Sequence, residues 1–455
     1  MQILRSVASA PLARASIVMA TLSAFLPGCR APERKPVRNV VLISIDTLRA
    51  DRLGTYGFSL PTSPELDAFA ARGAVFENAS STAPWTQPAH ASMLTGLYPA
   101  QAGMRRLRSA LPTDVTSLAE RMQRAGFLTV GCVNSTFLGA FQRGFDRWSY
   151  VTEDESAGGS ASAINDLALA GIRSAAGERL FLFVHYFDVH TPYKSRPQFE
   201  RPFLAGVELG RVERGPRFLF RVNHGQIQLT AQEIEALSQL YEAGIRQLDE
   251  RLGILLRQVE KTLDWDSTLV IVTSDHGDAF LEHGMVSHGG QLYQEALHVP
   301  IILFGGGVPA GARIAAPVSL VDVAPTVLAA AGLPSPRDLP GIDLASYWMG
   351  SRTPPSDRPL IAQSAPALYG DSLRGLRRGR FKLIEDTEAG RRELYDLAVD
   401  PKETTDLSSL RPSLSAELGA ALDGFMDRYP DDHRGPVEEL DPEKAERLRS
   451  LGYLE

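Results

Sequence analysis

Five short clusters hold most of the side chains able to bind a cation, hold an anion or attack an ester. Asp46 directly follows the apolar run VVLISI. A carboxylate at the end of a buried strand is costly unless it is paired or bound to a cation. Asp46 therefore reads either as a metal ligand or as the N-cap of a helix opening at Thr47-Leu48-Arg49. The segment Thr273-Ser274-Asp275-His276-Gly277-Asp278 closes a second such run. Adjacent Asp and His at a strand end can both turn to one ion, and their oxygen and imidazole donors suit Zn, Mn or a nitrogen-containing Ca site. A turn with an N-capping Asp is the plainer alternative, and Asp278 can support the ligands from one layer out.

The third cluster is Ala83-Pro84-Trp85-Thr86-Gln87-Pro88-Ala89-His90. Pro88 is tolerated in a first helical turn, whose N–H groups lack partners anyway. Thr86 then stands at a helix N-terminus, either as a simple cap or as a hydroxyl beside an anion-binding turn. Bound to a metal, such a hydroxyl can ionise and attack. The fourth cluster, His185-Tyr186-Phe187-Asp188-Val189-His190, places two of the nine histidines and an Asp on one strand-to-loop junction. The fifth is Glu282-His283-Gly284 and Ser287-His288-Gly289-Gly290 on a Gly-rich loop. His283, His224, His298 and His433 read as surface or structural. A G-x-S-x-G elbow, a P-loop and an HExxH motif are absent from the sequence.

Buried strands must position these groups. Val40–Ile45, Phe127–Val133, Leu180–Tyr186, Thr268–Thr273 and Val299–Phe304 are apolar and β-branched. Helical patterns at Pro64–Arg72, Leu118–Ala125 and Gln232–Leu263 lie between them. The alternation predicts an α/β fold with a central, mostly parallel sheet covered by helices on both faces. The reactive residues fall at its C-terminal edge, where such sheets bind ligands. After about residue 345 the segments Gly375–Arg378, Phe381–Glu385 and Glu393–Asp396 suggest a small antiparallel sheet. Helices near Ser413–Tyr429 and Pro442–Leu451 follow. Thr353-Pro354-Pro355 reads as a linker, so we expect a catalytic domain over 39–345 and a small C-terminal α+β domain over 346–455. Residues 153–162 read as a polar surface loop, and substrate-pocket loops are expected at 104–112, 150–162 and 194–230.

The 455 residues carry a net charge of −7, with 44% hydrophobic and 22% charged residues. This composition excludes a disordered chain and a polytopic membrane protein and gives no support for nucleic-acid binding. Two cysteines exclude a disulfide scaffold. Cys132, in FLTVGCV, reads as a small core residue. Arg5 and Arg14 precede an apolar run, Ala15 to Leu26, too short to span a bilayer but suited to a signal-peptide core. The run ends Leu26-Pro27-Gly28-Cys29, similar to a bacterial lipobox, although Pro27 is not favoured there. We expect residues 1–29 to be a leader, 30–38 a polar tether, and the protein to be exported and membrane-anchored through lipid on Cys29.

Taken together, the clusters resemble the sulfatase family of the alkaline phosphatase superfamily. The carrying stretches are NVVLISIDTLRADRLGTYG (39–57), WTQPAHASMLTG (85–96), FVHYFDVHTPY (183–193) and SDHGDAFLEHG (274–284). HGGQLYQEALHVPII (288–302) and ELYDLAVDPKETTDL (393–407) support them, and the likeness spans about 38–407. It implies an alkaline-phosphatase-like sandwich and one divalent ion, Ca, Mn or Zn, on Asp46, Asp275, His276 and Thr86. Thr86 takes the nucleophile position, and His190 that of the His that handles substrate or leaving group. His288 stands near a substrate-binding Lys of sulfatases and matches better a His of phosphoethanolamine transferases, whose paired histidines also match His185 and His190. We expect His90 to hold substrate oxygens and His185, Asp188 and Asp278 to form the surrounding layer.

Three departures matter. Thr47 replaces a second successive Asp. Thr86 replaces the Cys or Ser that sulfatases oxidise to formylglycine, so no formylglycine is expected. His90 replaces the Arg of the C/S-x-P-x-R motif. Threonine here resembles the phosphodiesterase, phosphoethanolamine-transferase and lipoteichoic-acid-synthase branches. The expected substrate is an anionic phosphate ester of phosphodiester or phospholipid-headgroup type. A sulfuric ester is the alternative, and a lipid-anchored binding protein without turnover is a third. The D-x-x-x-H pair of two-metal nucleotide pyrophosphatases is not evident.

Overall fold

The computed structural model describes residues 35–105, 110–152, 159–349, 355–364 and 373–429. The expected leader through Cys29, the linker at Thr353-Pro354, His433 and the helix Pro442–Leu451 lie outside them. The expected tether ends early: the Val37 N–H already donates to the Ala330 carbonyl at 2.8 Å.

The large sheet is built from β1 (Asn39–Ile45), β2 (Ala74–Phe76), β4 (Phe127–Val133), β5 (Arg147–Tyr150), β6 (Arg179–Tyr186), β7 (Thr268–Thr273), β10 (Ile301–Gly305) and β11 (Ala312–Ile314). The short pairs β3 (Ala79–Ser80) with β12 (Val318–Ser319), and β8 (Ala279–Phe280) with β9 (Val286–Ser287), lie beside it. Strand order is β11-β2-β10-β7-β1-β6-β4-β5. Strand β1 lies parallel between β6 and β7. The sequence-predicted strand at 299–304 corresponds to β10, which runs antiparallel to β7. Its connection from β7 carries the short strands β8 and β9 and the four-residue helix α8 (Gln294–Leu297), with no long helix to pack across the sheet as a parallel crossover usually does.

All seven residues of β1 are buried. Its side chains alternate between two cores, as the period of a strand requires. Val40 and Leu42 pack with residues of α2 (Thr86–Thr95), α3 (Leu118–Arg124) and α9 (Val323–Ala330). Val41, Ile43 and Ile45 pack with residues of α1 (Pro64–Ala70), α4 (Ala161–Ala175) and α7 (Ala231–Thr262). Two helical layers therefore cover the sheet, and each buried aliphatic chain contributes about 1.5–3 kcal/mol. Helix α7 opens with a capping box between Thr230 and Glu233, which explains why so long a helix starts sharply. Cys132 is buried in β4, and burial pushes its thiol up to about 12, as expected of a core residue. The expected loop at 194–230 instead contains two short helices, α5 (Pro197–Phe203) and α6 (Pro216–Asn223), each opened by a proline.

A second sheet, β13 (Pro359–Gln363), β14 (Leu373–Arg378), β15 (Phe381–Asp386) and β16 (Arg391–Asp396), is an antiparallel meander. Leu418 and Leu422 of α10 (Pro412–Arg428) pack on its Leu376, Leu383 and Leu394. Buried polar contacts stitch it to the loop that follows β7. Lys382 pairs with Glu403 at 2.6 Å, and Glu403 accepts the Gln294 N–H at 2.6 Å. His283, expected at the surface, is instead part of this seam. Its Nδ1 meets Glu295 at 2.7 Å, its Nε2 donates to the Glu403 carbonyl at 3.1 Å, and its ring stacks on Tyr293.

Burial opposes the charge on His283, but bonding to Glu295 and Glu403 wins and holds its pKa above the usual value. A raised folded pKa gives stability that is fully present below the unfolded value and lost as pH rises through the folded one. We therefore expect the stability that His283→Gln removes to shrink as pH is raised from about 6 to about 8.5, so that the two proteins' melting temperatures converge. Thermal melts of both proteins across that range check this, and equal slopes would remove His283 from the seam.

Candidate active site

Strands β1 and β7 pair in parallel with Ser44 opposite Thr273. Asp46 and Asp275 each lie two residues further along, so adjacent strands deliver both carboxylates to one place. Ligand atoms of Asp46, Asp275 and His276 all lie within 4.8 Å of one another, and all three residues are fully buried. The His276 ring donates from Nδ1 to the Gly277 carbonyl at 2.9 Å, which turns Nε2 towards the carboxylates as a lone-pair donor. Asp275 Oδ1 accepts the N–H groups of Thr47 and His276 at 3.2 and 2.9 Å. Its Oδ2 and the His276 Nε2 are buried and have no hydrogen-bond partner among the described residues. Burial pushes Asp275 up and His276 well down. A dication reverses both penalties, so the donor set fits a divalent metal of the Zn, Mn or Ca class.

Local backbone geometry makes this corner. Thr47 has φ of 58°, a left-handed conformation unusual for a β-branched residue. Its hydroxyl turns back to the Asp46 carbonyl at 2.7 Å, and its own carbonyl accepts the Tyr241 hydroxyl at 2.8 Å. Ser274 Oγ accepts the Leu48 N–H at 2.9 Å. Gly277 permits a close approach: a Cβ there would sit 2.0 Å from the Glu295 carbonyl oxygen.

Thr86 opens α2, and its hydroxyl lies 3.5 Å from Asp46 Oδ2. His90, one turn on, donates from Nδ1 to the Thr86 carbonyl at 2.8 Å, and its Nε2 accepts from Ser44 Oγ at 2.9 Å. Both ring nitrogens are thus taken by the protein. The expectation that His90 holds substrate oxygens gives way to one that it fixes the start of α2. Burial also keeps its pKa low.

His185 approaches Asp46 Oδ2 at 3.3 Å through Nε2 and Asn134 Oδ1 at 3.3 Å through Nδ1. Asn134 Nδ2 reaches Asp188 at 3.4 Å, and Asp188 accepts the Ala161 N–H at 2.9 Å. Asp188 therefore turns to the start of α4 and touches the centre only through Asn134 and His185. Burial pushes its carboxyl up to about 6. Opposite, His288 Nδ1 meets Asp278 Oδ1 at 3.0 Å, while the Tyr193 hydroxyl donates to Asp278 Oδ2 at 2.5 Å. Burial raises Asp278 to about 6 and lowers His288 to about 3. The His288 ring lies 4.5 Å from His276 and 4.9 Å from His190, between centroids. His190 donates from Nδ1 to the Thr191 carbonyl at 2.6 Å and stacks on Phe187.

The structure thus brings Asp46, Thr86, His185, Asp275, His276 and, next to them, His190, Asp278 and His288 to one buried edge. Sequence reasoning missed Ser44, Asn134, Tyr193 and Arg49. Arg49 is buried, donates to the Asp278 carbonyl at 2.9 Å, and pairs with Asp51 and Glu282. Tyr193 and Arg49 stand inside the motif stretches, but a sequence does not show what a side chain reaches.

Comparisons with known proteins agree with this geometry. A family model described as Sulfatase matches residues 38–333, and one described as N-sulphoglucosamine sulphohydrolase, C-terminal, matches 282–422. A Δ4,5-hexuronate-2-O-sulfatase of Bacteroides thetaiotaomicron is 26% identical, over 90% of this chain and 92% of its own. A choline-sulfatase of Rhizobium meliloti is 24% identical, over 81% of this chain and 82% of its own. The phosphonate monoester hydrolase of Agrobacterium radiobacter shares the fold, with a TM-score of 0.70 at 21% identity over 87% of this chain and 96% of that one.

Asp46 and Asp275 are fully buried with ligand atoms close to one another and to His276, so a bound dication should favour the folded protein. Adding a divalent cation at about 100 times its Kd should stabilise it by about 2.7 kcal/mol. We expect a matching rise in melting temperature, abolished by His276→Ala and by Asp275→Ala. Melts with and without chelator, with bound metal counted by elemental analysis, check it. An unchanged rise in His276→Ala would move the site elsewhere.

Proposed function

The chain belongs to the sulfatase family of ester hydrolases, and from that premise we propose that it cleaves phosphate esters through Thr86. The observation that carries this reading is the Thr86 hydroxyl, first in α2 and beside Asp46. Threonine cannot be converted to formylglycine, so a sulfate ester of it could not be expelled by collapse of a geminal diol. A phosphothreonine can instead be displaced at phosphorus by water or an alcohol.

Asp46, Asp275 and His276 would hold the metal, with Thr86 as a further donor. Such an ion lowers the pKa of a bound hydroxyl and neutralises an anionic ester. The Thr86 oxygen attacks in line and forms the new bond to phosphorus as the bond to the leaving oxygen breaks. That oxygen takes a proton from Nε2 of His288, which first takes one up from solvent beside the anionic ester, while the proton of the Thr86 hydroxyl leaves to solvent. Asp278, itself held by Tyr193, orients His288 through Nδ1 and directs Nε2 outward. Water then attacks phosphorus and releases Thr86. Positioning and charge stabilisation supply most of the acceleration, as in other phosphoryl transfers.

Relatives named for sulfuric esters on uronic acid residues and on choline support a second reading, hydrolysis of sulfate esters, including esters carried on carbohydrate. We further propose export and anchoring through Cys29, supported by the leader-like Ala15 to Leu26 run.

The test offers aryl phosphate, aryl phosphodiester and aryl sulfate to the metal-loaded protein and to Thr86→Ala. We expect phosphate-ester cleavage that falls by at least about a thousandfold in Thr86→Ala while its melting curve is unchanged, and a phosphoryl group on the Thr86 peptide after quenching. Full activity in Thr86→Ala would refute the reading, and Thr86-dependent release of free sulfate would favour the second. Asp278→Asn should slow esters with poor leaving groups by about 100-fold or more and spare good ones. Equal losses on both would deny that His288 protonates the leaving oxygen.

A further inference from the structure

Positions 194–223 hold seven Lys and Arg against three Asp and Glu, in a chain of net charge −7. Arg211 and Arg214 are neutralised by Glu233 and Glu200. Arg217 and Arg221 are both exposed, and among the described residues neither side chain has an ion-pair or hydrogen-bond partner. They stand on α6, whose inner face is set by the buried Phe218, Leu219 and Val222. Helical spacing then gathers 217, 220, 221 and 224 on the outer face. Phe220 is 54% exposed, and its ring stacks on His224 with centroids 3.8 Å apart. The exposed Phe220 ring, ordered by His224, thus shares a helix face with two exposed arginines and lies outside the packed face of α6.

The C-terminal end of α6 is tied to the segment that leads into the catalytic edge. The Asn223 side chain donates to the Val286 carbonyl at 2.9 Å and accepts the Val286 N–H at 2.8 Å. Strand β9, Val286–Ser287, runs directly into His288. A ligand lying on α6 would therefore extend from the rim of the site.

We propose that the outer face of α6 binds an anionic carbohydrate chain whose ester-bearing unit enters the catalytic site. The inference rests on the ester-hydrolase reading for that end of the chain only. Arg217 and Arg221 match carboxylate, sulfate or phosphate groups with paired N–H donors. The Phe220 ring offers a flat apolar face to the C–H side of a sugar ring, as aromatic residues with partly apolar partners do. A nucleic acid, with its dense phosphate charge, meets a net negative protein instead of a basic one. An anionic membrane needs a larger apolar face than one ring, and the other apolar residues of α6 point inward.

The experiment measures binding of dextran sulfate oligomers, oligogalacturonate and neutral dextran to the full chain carrying Thr86→Ala, so that no turnover intervenes. We expect both anionic oligomers to bind, more weakly as salt rises, and neutral dextran not to. The double variant R217Q/R221Q should lose about tenfold or more in affinity, and Phe220→Ala about threefold. In the parent with Thr86 intact, these substitutions should leave hydrolysis of a small aryl ester unchanged. Undiminished binding in the variants, or equal binding of neutral dextran, would overturn the proposal. So would binding to phosphatidylglycerol vesicles that Phe220→Ala abolishes, without oligosaccharide binding, since that assigns the face to a membrane. Binding and turnover are read separately, so loss of either reading leaves the other standing.

Discussion

Two carboxylates, Asp46 and Asp275, are fully buried at the same level of neighbouring parallel strands. A buried carboxylate loses its hydration at a cost of several kcal/mol, and two like charges side by side raise that cost. Parallel strands lie about 4.8 Å apart, so the pairing of β1 with β7 forces this proximity however the loops are arranged. Only protons or a cation can relieve it. The protein accepts that cost at the ends of two strands whose every residue is buried.

The surrounding polar groups make sense as restraints on that pair. Asp275 Oδ1 is occupied by two backbone N–H groups, which leaves Oδ2 as the only outward oxygen. The Gly277 carbonyl chooses the His276 tautomer, and Asp278 with Tyr193 chooses that of His288. Each contact removes a rotational freedom that catalysis would otherwise have to remove at the moment of reaction. The left-handed Thr47 and the close-packed Gly277 are where the backbone yields to produce this order. The seam made by His283, Glu295 and Glu403 extends the same restraint to the loop between Asp278 and His288.

The strands and their reactive ends were legible because a buried parallel strand writes itself as an unbroken apolar run, and a charged residue at its end stands out. Asp46, Asp275 and His276 were singled out that way, whereas Thr86 was singled out by the helix start at Pro88 and the second sheet by short segments separated by turns. The antiparallel sense of β10 was hidden because direction depends on the connection, not on the strand's own residues. The outward turn of Asp188 was hidden too: its partners, Asn134 and Ala161, lie 54 and 27 positions away. His90 and His283 were misread for one reason. A histidine looks alike in sequence whether it faces substrate, solvent or a carbonyl oxygen, and only the fold supplies the partner.

The exchange of Arg for His90 and of Cys or Ser for Thr86 reads as one change. An Arg at position 90 would bring a permanent positive charge to the start of α2, suited to holding a modified nucleophile and its sulfate. Burial holds the His90 pKa low, and its ring is bound to the Thr86 carbonyl and to Ser44 in β1. It spends its hydrogen bonds on position, tying the first turn of α2 to the central strand. Thr86 adds a β-methyl group that restricts its side-chain rotamers. On our reading, a nucleophile that must attack phosphorus in line gains from this rigidity. A formylglycine diol, which works by collapsing to an aldehyde, needs chemistry that Thr86 cannot supply. On the same reading, His90 and Thr86 act as one unit, the ring fixing the turn that carries the hydroxyl.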